Sequence, residues 1–61
     1  MNKYMVDLNW YGEVIQIYTT AKSERSAYIQ AIGKLAISKD YGFRVVDHYF
    51  RGTDRFKITK I

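Results

Sequence analysis

The chain has no cysteine and no proline, one histidine and four glycines among its 61 residues. Without cysteine there is no disulfide, no thiolate nucleophile and no thiol-ligated zinc, so the domain forgoes the staples that chains of this size often use. Long apolar runs are also missing. No segment approaches the ~20 apolar residues of a membrane helix, and "MNKYMVDLNW" lacks the apolar centre of a secretory signal. A cytoplasmic protein is therefore expected. With a single histidine, no calcium-loop spacing of carboxylates and only isolated glycines in "YGEV", "IGKL", "YGFR" and "RGTD", no metal, cofactor or phosphate loop is indicated.

Hydrophobic residues make up 48% of the chain and aromatic ones 16%, which suits a packed core better than a disordered chain. At this length only one domain, 1–61, fits, burying about 60% of the surface that its unfolded chain exposes. The net charge is +4 and it is unevenly spread. Residues 1–42 carry five bases against four acids, and residues 43–61 carry five against two, a net of +3.

"KYMVDLN" alternates, with Tyr4, Val6 and Leu8 on one side and Met5, Asp7 and Asn9 on the other, the two-residue period of a half-buried strand. "NWYG" supplies a turn, and the β-branched "EVIQIYTT" pairs back as a second strand whose Ile15 and Ile17 face the core. In "AKSERSAYIQAIGKLAISKDYG" Ser23 is a helix N-cap, and Ala27, Tyr28, Ala31, Ile32, Leu35 and Ala36 share one face. Gly42 is the expected left-handed cap. "FRVVDHYF" and "RFKITKI" read as a second hairpin around Gly52, Thr53 and Asp54. Its expected phase buries Val46, His48 and Phe50 against Phe56 and Ile58, because the other phase would bury the Asp47 carboxylate. The expected fold is thus α+β, in the order β-β-α-β-β: a four-stranded antiparallel sheet with one helix on one face. The opposite face, with Met5, Val14, Tyr18, Val45, Tyr49 and the stems of Arg44 and Lys57, would stay open as a binding surface.

The joint "IYTTAKSERSAYIQAIGKLA" resembles the strand, serine cap and alanine-rich helix of small β-β-α-β-β proteins encoded by bacteriophages and prophages. The resemblance covers about a third of the chain and implies a packing arrangement, with no functional residue attached to it.

Chemistry is the weakest reading. Asp47 and His48 are neighbours that a strand would send to opposite faces, and general acid–base work needs titratable groups held together in a pocket. The expectation is a binding protein and not an enzyme. The leading partner is nucleic acid, DNA or RNA, with Arg44, Arg51, Arg55, Lys57 and Lys60 of the basic C-terminal hairpin on phosphates and Tyr18 and Tyr49 as stacking rings. The alternative is a protein-interaction module, a phage-type accessory protein acting on a host protein, with Trp10, Tyr11, Tyr18 and Tyr49 at its interface. A homodimer through the open sheet face would also relieve the small core.

Overall fold

A computed structural model describes all of residues 1–61. Its elements are β1 (Asn2–Trp10), β2 (Glu13–Ala21), α1 (Glu24–Lys39), α2 (Phe43–Phe50) and β3 (Phe56–Lys60). The sheet has three strands in the order β2-β1-β3, both pairings antiparallel. The fold is α+β, but the four-stranded sheet with one helix is not what forms. "FRVVDHYF" is a helix, so there are three strands and two helices, and no C-terminal hairpin.

The reason lies in which period the core reads. A short apolar run satisfies strand and helix templates alike. Phe43, Val46, Asp47 and Phe50 recur at helical spacing, and Val46, Asp47 and Phe50 are all buried. His48, expected inside, is exposed. The objection to burying Asp47 fails because the fold supplies partners for it. Tyr28 of α1 donates its hydroxyl to Asp47 Oδ1 at 2.9 Å, and Arg51, one turn on, forms an ion pair with the other carboxylate oxygen. A buried carboxylate with two charge-assisted partners is tolerable where an unpaired one is not.

β1 is the central strand, and its alternation is clean: Tyr4, Val6, Leu8 and Trp10 are buried. Ile15 and Ile17 of β2 and Phe56 and Ile58 of β3 pack against the same core from its margins. The expected face of α1 supplies Ala27, Ala31, Ile32, Leu35 and Ala36, with Tyr28 beside them. Small alanines let the helix lie close to the sheet, and Phe50 and Val46 of α2 fill the remaining volume. Ser23 caps α1 by accepting the Ser26 N–H. The left-handed residue ending that helix is Asp40 (φ 59°), not Gly42, which instead precedes α2 in an extended conformation. The Tyr41 N–H closes back on the Ala36 carbonyl at 2.9 Å, so the chain turns sharply into α2 without needing glycine at the cap.

Both helices cover one face of the sheet. The other face is open and holds Met5, Asp7 and Lys57 along its middle, with Tyr18 beside Met5. Val45, Tyr49 and Arg44, expected on that face, belong to α2 and lie elsewhere. No helix is long and apolar enough to cross a membrane.

Candidate functional site

β1 and β2 are joined by the two residues Tyr11 and Gly12, with Trp10 and Glu13 paired on either side. Both loop residues have positive φ, 49° at Tyr11 and 88° at Gly12, the combination of a type I′ hairpin turn. That turn favours Asn-Gly or Asp-Gly, because the first position also needs the left-handed region, which a bulky side chain enters only at a cost. Tyr11 is therefore out of place by local preference. Asn9 Oδ1 accepts the Gly12 N–H at 2.9 Å and helps to hold the turn.

Tertiary contacts explain how Tyr11 is kept there. Its ring lies 4.6 Å from that of Tyr49 of α2, tilted by 32°, and meets the Trp10 ring edge-on at 4.8 Å. The Tyr11 N–H also reaches the Tyr49 hydroxyl at 3.3 Å. Trp10 is itself buried, wedged among Tyr11, Tyr41, Tyr49 and Phe50. It forms the floor of a patch whose upper rings are Tyr11, Tyr41 and Tyr49. The Arg55 guanidinium sits 4.8 Å from the Tyr49 ring centroid, and it donates to the Tyr49 carbonyl at 3.2 Å. Arg55 is itself placed by the loop: Thr53 Oγ1 donates to the Phe50 carbonyl and accepts the Arg55 N–H.

The result is a cluster of rings whose positions are fixed while its outermost member remains 73% exposed at Tyr11. Rigid rings and a planar guanidinium offer a large contact area at little conformational-entropy cost. Hydrogen bonding and cation–π contact leave the arginine charged and its outer N–H groups free to pair. His48, on the exposed side of α2, forms no hydrogen bond to the Asp47 carboxylate, whose partners are Tyr28 and Arg51.

The other basic residues divide among several surfaces. Arg44 and His48 lie one turn apart on the exposed side of α2, and Arg51 follows just past its C-terminal end, where it is already paired with Asp47. Lys57 lies on the open sheet face opposite Asp7, whereas Lys60 is opposite Tyr4 and so on the helix-covered side. Tyr18 is exposed on the open face, far along β2 from the turn that carries Tyr11. The structure therefore brings Trp10, Tyr11, Tyr49 and Arg55 together, and sets Tyr18 and Lys57, on the open sheet face, and Lys60, on the covered side, apart from them.

The contact of Tyr41 with Trp10 and the exposed position of His48 are not legible in the sequence. A strand for 43–50 conceals the helical stripe, and Tyr41 reads simply as the end of α1. A usable signal existed at Tyr11: "WYGE" places tyrosine where a two-residue turn prefers asparagine.

Buried polar chemistry is confined to the α1–α2 contact. The Tyr28 phenol is held far above the ordinary phenol range, first by burial, then by its hydrogen bond to Asp47 and the carboxylate charge, with Arg51 opposing. On the sheet's open face the Asp7 Oδ1 atom is buried without a hydrogen-bond partner. Comparison of the chain with family models, with curated proteins and with solved structures finds no match in any of the three.

Proposed function

We propose that this is a non-enzymatic protein-binding module that holds its partner through the patch of Tyr11, Tyr49 and Arg55 over Trp10. The observation that carries the reading is Tyr11: a bulky ring in the left-handed region of a type I′ turn, exposed, and fixed by two aromatic contacts. The ring contacts offset the strain of the turn, yet most of the ring stays in solvent, so a bulky side chain is held rigidly where a partner can reach it. Tyrosine, tryptophan and arginine are also the residues that concentrate binding energy in protein interfaces.

Nucleic acid is the second reading, favoured by Arg44 and His48 on α2 and Arg51 just past its end. It ranks lower because Arg51 is neutralised by Asp47 and because Lys57 and Lys60 lie on opposite faces of β3. A phosphate track needs its bases on one surface.

The two readings separate in one experiment. Immobilised wild-type protein and the Tyr11→Asn and Arg44→Ala/Arg51→Ala variants are exposed to nuclease-treated and untreated extract of the source cells. The protein reading expects a partner that survives nuclease, resists moderate salt and is lost with Tyr11→Asn. Retention that disappears with nuclease or with the arginines, and is indifferent to Tyr11→Asn, would reverse the order of the two readings.

A further inference from the structure

The sheet has two edges, and they are unlike. β3 has only five residues and carries Lys57 and Lys60, the short, lysine-bearing edge that proteins use to prevent unwanted pairing. β2 has nine residues, pairs with β1 in nine consecutive positions without a bulge, and has no charge between Glu13 and Lys22. It also lacks proline. Beyond Glu13 the strand itself carries no bulge, proline or charge to protect that edge, and Lys34 of α1 reaches only one of its carbonyls.

The register shows which backbone groups it offers. A two-residue loop makes Trp10 and Glu13 a hydrogen-bonded pair, so alternate β2 residues from Glu13 onward bond to β1. Val14, Gln16, Tyr18 and Thr20 then direct their N–H and C=O groups outward. Lys34 Nζ, donating to the Tyr18 carbonyl at 3.3 Å from α1, agrees with that direction. No other hydrogen bond outside the β1 ladder engages these backbone groups. Beside the edge stand two half-buried isoleucines, Ile15 and Ile17. Ile37, 84% exposed, lies on the side of α1 that also carries Lys34.

We propose that β2 pairs antiparallel with β2 of a second copy, forming a continuous six-stranded sheet. The strand is self-complementary about Ile17. In the twofold register Gln16 faces Tyr18 of the second copy, Val14 faces Thr20, and Ile17 lies against its own symmetry mate as a non-hydrogen-bonded pair. Every outward-directed group then has a partner. Charge agrees with this orientation: Glu13 at one end of β2 comes opposite Ala21 and next to Lys22 of the second copy, so unlike charges meet at both ends. A parallel arrangement would instead align Glu13 with Glu13. The inference stands apart from the aromatic patch, which lies at the hairpin tip, and the twofold would place the two patches at opposite ends of the sheet.

The test is the mass in solution, by sedimentation equilibrium, of the wild type and of Gln16→Lys/Tyr18→Lys. Those exposed positions face each other across the twofold, so the variant sets like charges in direct opposition without altering the core. A wild-type dimer is expected, weakened at least tenfold in the variant, with the helix and sheet signature of the CD spectrum retained. Register is checked independently with Ile17→Cys, which should form a covalent dimer under mild oxidation because its symmetry mate is the nearest residue, whereas Glu13→Cys should not. A wild type that stays monomeric at millimolar concentration overturns the proposal. So does a dimer that tolerates both lysines, or one in which the two cysteine variants cross-link equally.

Discussion

Replacing Asp47 with alanine separates the observed fold from the strand reading of "FRVVDHYF". In a strand phase that buries His48, Asp47 faces solvent and its removal is close to neutral. In the structure Asp47 is 8% exposed, accepts the Tyr28 hydroxyl at 2.9 Å and pairs with Arg51. A hydrogen bond to a charged acceptor contributes about 1.5–3 kcal/mol. The Arg51 side chain is 77% exposed, so its ion pair adds only about 0.3–0.5 kcal/mol as an exposed i,i+4 contact. The expected loss is therefore about 2–3 kcal/mol, set against a total of roughly 3–9 kcal/mol for a chain of this length at typical stability per residue. Urea unfolding followed by Trp10 fluorescence and far-UV CD measures it. The Tyr28 partner gives a second readout through pH. Because folding raises its phenol pKa, the associated stability is complete below about pH 10 and is lost as pH rises above that value, with a slope that solvent screening of this partly buried ring keeps below the limiting ~1.4 kcal/mol per pH unit. Tyr28→Phe should lack that component of the alkaline loss. A change below about 0.5 kcal/mol for Asp47→Ala, or identical alkaline slopes for the wild type and Tyr28→Phe, would refute the α1–α2 contact as described.

Phe50 is fully buried, and Phe50→Ala should cost about 3–5 kcal/mol, leaving the chain largely unfolded by CD at room temperature. Asp7→Val removes the buried, unpartnered Oδ1 from the sheet and adds a strand-favouring side chain, so it should raise stability by about 1 kcal/mol in the same urea assay. Tyr11→Asn exchanges two aromatic contacts for a residue suited to the type I′ turn, and its net stability change should stay within about 1 kcal/mol. That variant therefore separates binding from folding.

Much of the fold is legible where one template clearly wins. The alternation of Tyr4, Val6 and Leu8 identifies β1, and Ser23 with the alanine-rich face identifies α1, because each pattern is long enough to exclude the other period. "FRVVDHYF" is too short for that. Its aromatic and β-branched residues favour a strand, while Val46 and Phe50 at i, i+4 favour a helix, and the decision comes from partners distant in sequence. Tyr28, 19 positions before Asp47, is what makes the helical burial of a carboxylate affordable. A strand at 43–50 would set Tyr49 on an open sheet face. In the structure it sits under Tyr11, a contact separated by 38 positions that no local pattern contains. The surface is thus only partly visible in the sequence: Trp10 and Tyr11 stand out through their turn, but Tyr49 and Arg55 join them only once α2 is a helix.

The binding role of Tyr11 is measured directly by the affinity of the captured partner for wild type and for Tyr11→Asn, by calorimetry at moderate salt. A central interface ring is worth about 2 kcal/mol or more, roughly thirtyfold in affinity. At least that loss is expected in Tyr11→Asn, a variant that unfolds at nearly the wild-type urea concentration. An affinity unchanged within about twofold would show that the patch is no more than an aromatic lid on the core.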